Sequence, residues 1–140
     1  MNRYLFVFLS IILCQNCLAV PVTVKKIIDG DTFVADVKLS RNSEVMSVKV
    51  RLNNVDTPEM NGQCKDEIIR AQYAKQRLSE LIPVGSEVEI KNIKNDKYVG
   101  RIDASVYDSA NRDIGSVLIK EKIARAYSGG KRKSWCLDNK

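Results

Sequence analysis

Histidine is absent from the 140-residue sequence. That absence excludes Ser-His-Asp and Cys-His triads, His-based nucleases, HExxH zinc sites and C2H2 fingers. Acid–base chemistry must therefore run through carboxylates, Lys, Tyr, Cys or a metal-bound water. Long apolar runs are also lacking. The first, over residues 4–13, is too short for a comfortable transmembrane helix, which needs about 20 apolar residues. Repeats, low-complexity tracts and Pro- or Gly-rich linkers are missing too, so the chain reads as one domain. What is present is ordinary for a packed soluble domain: 44% apolar and 29% charged residues. Cations outnumber anions, 23 to 17, for a net charge of +6, and a balance of that sign suits a polyanionic partner.

Residues 1–19 carry one cation, Arg3, ahead of the apolar run. A polar break follows at Gln15 and Asn16, and then the small residues Cys17 and Ala19. This is the pattern of a secretory signal peptide cut after Ala19, with a retained N-terminal anchor as the alternative. Residues 20–140 would be the mature domain, secreted or periplasmic and without stable membrane association. Cleavage removes Arg3, which lowers the net charge of +6 by one. It also removes Cys14 and Cys17, leaving Cys64 and Cys136. In an oxidising compartment these two are expected to pair.

Hydrophobic alternation predicts five strands. The first spans 22–28 and closes at Asp29-Gly30. In the second, Phe33, Ala35, Val37 and Leu39 alternate with mostly polar residues. The third sets Met46, Val48, Val50 and Leu52 on a buried face and Arg51 on the other. The fourth is centred on Val88 and Ile90. In the fifth, Ile102, Ala104 and Val106 alternate with Arg101, Asp103 and Ser105. A 3.6-residue period at Ala71, Ala74, Leu78, Leu81 and Ile82 predicts a helix over 66–82, stopped by Pro83 and Gly85. A second helix is expected over about 113–121, buried through Ile114, Val117 and Leu118, before a basic, loop-like tail from Ser128. The class is mainly β with helices (α+β). A five-stranded Greek-key barrel of the OB type with two packed helices has this strand count, and such barrels often bind nucleic acid.

The densest polar clusters are Asp29-Gly30-Asp31-Thr32 and the run from Arg51 to Glu59. Asp31 and Asp56, at strand ends, could share a hard cation such as Ca²⁺, which takes carboxylate, carbonyl and water oxygens. Glu59 is separated from Asp56 by a turn that Pro58 stiffens, and could act as a base on water beside the metal. Arg51 and Arg101 suit a phosphate, which a guanidinium grips bidentately. Taken singly, each has a plainer reading. Asp29-Gly30 alone is a hairpin turn. Asp56-Thr57-Pro58-Glu59 alone is a helix N-cap or turn. Strand-face arginines are usually solvated, Tyr98 and Tyr127 are usually rim or core aromatics, and the Lys131-Arg132-Lys133 run reads as a soluble tail.

The ordered set Ile28-Asp29-Gly30-Asp31-Thr32, then Val50-Arg51-Leu52-Asn53-Asn54-Val55-Asp56-Thr57-Pro58-Glu59, then Asp96-Lys97-Tyr98-Val99-Gly100-Arg101, resembles the thermonuclease (staphylococcal nuclease-like) family from about Val22 to Tyr127. The resemblance implies a calcium-dependent phosphodiesterase on an OB-fold barrel, cleaving DNA and RNA with little sequence preference. It implies Asp31, Asp56 and the Thr57 carbonyl as metal ligands, with Glu59 activating water. It implies Arg51 and Arg101 as the transition-state cations, and Tyr98 and Tyr127 as the lining of the nucleotide pocket. Single strands, whose bases can splay and stack on tyrosines, are the favoured substrate, and a monomer is expected. Val99 stands between the tyrosine and the Gly-Arg pair. On a continuous strand one extra residue reverses the face of Arg101 unless a bulge absorbs it. The alternative function is a catalytically silent OB-fold module that binds nucleic acid. Such domains tend to lose the carboxylates or arginines, whereas all are present here.

Overall fold

A computed structural model describes residues 18–38 and 40–136. The expected signal peptide, apart from its last two residues, and Leu39 of the second predicted strand lie outside the described residues. Among the described residues, no helix is long and apolar enough to cross a membrane.

Five strands close into a barrel: β1 (Val20–Ile27), β2 (Thr32–Val37), β3 (Met46–Leu52), β6 (Arg101–Tyr107) and β5 (Glu87–Asn95), in that spatial order. All neighbours are antiparallel except β3 and β6, which run parallel. This is the expected OB-type barrel. Alternation builds it: Val22, Val24, Phe33, Ala35, Val50, Leu52, Val88, Ile90, Ala104 and Val106 all point inward and are buried. In β1 the two polar residues Lys25 and Lys26 interrupt the alternation, and the pairing with β2 shifts register between Val24 and Lys26. This bulge returns Ile27 to the core side, where it is buried. One expected core residue is not there. Met46, at the outer end of β3, is 59% exposed; the strand overhangs the barrel at that end and its side chain has no interior to enter.

Helix α1 (Lys65–Leu81) closes one side of the core with Ala71, Ala74, Leu78 and Leu81, all on one buried stripe. Helix α2 (Ile114–Lys120) starts at Asp113, whose carboxylate accepts the Ser116 N–H at 2.7 Å as an N-cap. Its Ile114 and Leu118 are fully buried, while Val117 is only partly so. Two elements carry too few residues for a periodic signal. These are β4 (Val55–Asp56) and β7 (Arg125–Ala126), which pair antiparallel, with Asp56 opposite Arg125.

Candidate active site

The register of three neighbouring strands lays down the floor of a cavity of about 570 Å³. Thr32 of β2 stands opposite Arg51 of β3, and Arg51 opposite Asp103 of β6. Directly paired residues share a sheet face, so these three side chains project together, and Arg101, two residues before Asp103, joins them. All four line the cavity. Val99 does not turn Arg101 away from the cavity. The extra residue sits in the β5–β6 turn, wholly exposed, with the Asp96 N–H donating to the Arg101 carbonyl and the Arg101 N–H to that of Tyr98. Gly100 takes a φ of +79° there, a conformation that L side chains disfavour. With Val99 held in the turn, Arg101 faces the cavity beside Arg51.

Arg51 is held firmly. Its Nη2 lies 3.2 Å from Asp31 Oδ2 and 3.0 Å from the Val55 carbonyl oxygen. Arg101 donates from Nε to Asp96 and stacks over the Tyr98 ring, with 4.5 Å between the guanidinium carbon and the ring centroid. Burial pushes the Asp96 carboxyl upward, but the Arg101 hydrogen bond and the Tyr98 N–H outweigh it and hold it below its ordinary value. Asp103, partly buried, is raised by that desolvation and by the neighbouring Asp96 charge. Tyr98 and Tyr127 both line the cavity. Tyr98 is exposed, while the Tyr127 hydroxyl donates to the Gly130 carbonyl at 2.7 Å.

Two loops bring the carboxylates in. The β1–β2 loop carries Asp31, whose Oδ1 accepts the Thr32 hydroxyl at 2.8 Å. Gly30 is needed here for closeness, since a Cβ on it would fall 2.7 Å from the Ala74 Cβ and 3.1 Å from the Thr57 side chain. The loop thus packs onto α1 and onto the segment that follows β4. That segment is not a helix cap; Thr57 and Pro58 run on as an irregular loop to α1 at Lys65. Glu59 reaches the cavity wall. Its backbone N–H donates to Glu67 Oε1 at 3.2 Å, and the Gln63 N–H donates to Glu67 Oε2 at 2.9 Å. The buried Glu67 carboxylate therefore fixes the loop that carries Glu59. Asp56 and Thr57 are buried behind the cavity rather than on its wall. Burial raises Asp31 and also Asp56, and the charge of Asp31 pushes Asp56 further up.

The tail is part of this site, contrary to its reading as a soluble segment. Cys136 is bonded to Cys64, with Cα atoms 5.9 Å apart, as expected for these two cysteines. The buried Trp135 donates from Nε1 to Asp56 Oδ2 at 2.9 Å. The Arg125 guanidinium lies 3.6 Å from the Trp135 ring centroid and donates to the Ser134 carbonyl at 2.9 Å. Arg132, carried by this strap, places Nε 2.6 Å from Asp56 Oδ1 and pairs through Nη1 with Glu59. The Asp56 contact is an ion pair without hydrogen-bond alignment, since Oδ1 accepts no hydrogen bond although buried. Sequence reasoning missed Glu67, Arg132 and Trp135. For the last two the partners are 73 and 79 residues away, and no local spacing signals that. Cys64, Glu67 and Cys136 also cluster, but the two sulfurs are bonded to each other and offer no thiolate.

The family model for Staphylococcal nuclease homologue matches residues 49–137, more than half of the chain. The chain belongs to that family. The match spans Arg51, Asp56, Glu59 and Arg101 together with both bonded cysteines. A comparison with curated proteins finds no match. The donor set fits the calcium ion general in the family. It offers oxygen atoms only, on two desolvated carboxylates, of which Asp56 keeps one oxygen without a hydrogen bond, and a guanidinium already stands beside each as a cation, Arg51 at Asp31 and Arg132 at Asp56.

Proposed function

We propose that this member of the nuclease family is an exported, calcium-dependent enzyme that hydrolyses phosphodiester bonds of DNA and RNA with little sequence preference. One observation carries the reading: Arg51 and Arg101 meet on the wall of one cavity with Asp31 and Glu59. A cavity of about 570 Å³ is large enough for a nucleotide, and its tyrosines offer faces on which bases can stack. Arg51 and Arg101 donate to the non-bridging phosphate oxygens, where negative charge grows in the transition state. Glu59, about half exposed, takes a proton from water as the water oxygen bonds to phosphorus. The P–O ester bond opposite breaks, and solvent protonates the departing oxygen. Asp31, Asp56 and the Thr57 carbonyl would hold the calcium ion, which supplies Lewis-acid neutralisation of phosphate charge. Export is supported by the leader pattern of residues 1–19 and by a disulfide of the kind that persists in oxidising compartments.

Digestion of single-stranded DNA by the purified protein tests this reading. Cleavage is expected with Ca²⁺, none in excess chelator, and full recovery when Ca²⁺ is restored. Binding without cleavage under every condition would support the silent nucleic-acid-binding module instead. Undiminished turnover in excess chelator would remove the metal from the reaction.

A further inference from the structure

Among the described residues, Arg132 is the one tail cation seated among the carboxylates of the site. It touches Asp56, a candidate metal ligand, and Glu59, the candidate base, and the charge of Asp31 acts on it as well. The placement is built rather than casual, because the strap that carries it is tied on both sides. Tyr127, before it, donates its backbone N–H to the Asn54 carbonyl at 3.0 Å and its hydroxyl to that of Gly130. After it come the Arg125 contacts to Lys133 and Ser134, the Trp135–Asp56 hydrogen bond and the bond to Cys64. A guanidinium delivered in this way neutralises the buried Asp56 carboxylate, where a divalent cation would sit, and the half-exposed Glu59 beside it.

We propose that Arg132 is a resident counter-cation of the acidic site, which a divalent cation must displace from Asp56 and Glu59 in order to bind. The inference rests on the metal reading of Asp31 and Asp56 given above. Physically, the side chain offsets the desolvation of Asp56 when the metal is absent and competes with the metal when it is present. The competition sets the calcium affinity of the site lower than its carboxylates alone would give.

The test is calorimetric titration of Ca²⁺ into the chelator-stripped full chain, without substrate, for the wild type, Arg132→Gln, Arg132→Lys and Lys131→Gln. Arg132→Gln is expected to bind Ca²⁺ about tenfold tighter, the scale of one charge-assisted contact. Arg132→Lys, which keeps the charge and loses the planar fork, is expected to fall between that variant and the wild type. Lys131→Gln, the same loss of charge one residue earlier on an exposed side chain, should leave the affinity unchanged. In chelator, Arg132→Gln should melt below the wild type, and Ca²⁺ should raise its melting temperature by more. Equal affinity in all four proteins overturns the proposal. So does equal tightening in Arg132→Gln and Lys131→Gln, which would mean a diffuse effect of tail charge. If no protein binds Ca²⁺, the metal assignment fails and the proposal fails with it. Should Arg132→Gln not fold, an unchanged affinity in Arg132→Lys overturns the proposal by itself.

Discussion

Arg51 and Arg101 are held in different ways, and the difference bears on what each can tolerate. Arg51 bridges Asp31 and the Leu52 and Val55 carbonyls with only 14% of its side chain exposed. A lysine there has one nitrogen for contacts that need a planar fork. Arg101 has Asp96 beneath its Nε and Tyr98 against its face, so its remaining donors are free to meet a ligand. Glu59 has its backbone fixed by Glu67 while its carboxylate remains about half exposed. Replacing it should therefore leave the fold intact. Glu59→Gln is expected to lower turnover by about 10²–10⁴-fold, the usual weight of a general base, with the melting temperature little changed. Single-turnover cleavage of an oligonucleotide, read beside a thermal melt, checks both halves. Arg51 and Glu59 could be proposed from the sequence because a strand end and a Pro-stiffened turn group them locally, whereas Arg101 is joined to them through the family resemblance. Arg132 could not, because a basic run in a tail looks the same whether it is solvated or folded back.

At the scale of elements, the parallel pairing of β3 and β6 matters most to the site. It sets Arg51 beside Asp103 and keeps Arg101 on the same face. Period-two alternation made the five barrel strands legible, and period 3.6 made both helices so. β4 and β7 escaped because two-residue strands have no period. The overhang of Met46 escaped because alternation tells inside from outside only where there is an inside. The two helices are tied by Arg77 of α1, whose Nε and Nη2 each lie 2.8 Å from the carboxylate of Glu121 just after α2. That pair holds Glu121 below its ordinary carboxyl value. A carboxyl depressed by folding adds stability above its unfolded pKa, and that stability is lost as the pH falls through the folded value. The pair is partly exposed, so its worth is small. Glu121→Gln is expected to melt slightly below the wild type at neutral pH, and the gap should close in acid, below the ordinary carboxyl range. Melting curves over a pH series check this; a gap that widens in acid would contradict it.

For the whole molecule, the strap from Tyr127 to Cys136 joins stability to function, since it both seals the chain and furnishes the site with Trp135 and Arg132. The Cys64–Cys136 bond spans 72 residues, and chain entropy puts such a link at about 4 kcal/mol before strain is subtracted. The double variant Cys64→Ser/Cys136→Ser should lose stability on that scale in urea unfolding, and an unchanged midpoint would show the strap held by Trp135 and Arg125 alone. Net charge gives another whole-molecule expectation. With a surplus of six cations in the full sequence, one fewer once the leader with Arg3 is removed, binding of single-stranded DNA should weaken steeply as salt rises, through release of counterions; affinity indifferent to salt would contradict backbone recognition. The claim on which all of this depends is that the barrel brings two arginines from neighbouring strands to one phosphodiester. Steady-state turnover of single-stranded DNA by Arg101→Ala, in a protein whose melting temperature matches the wild type, tests it most directly. Turnover is expected to fall by about 10²–10³-fold, as for loss of one donor to a developing anion, and unchanged turnover would contradict the claim.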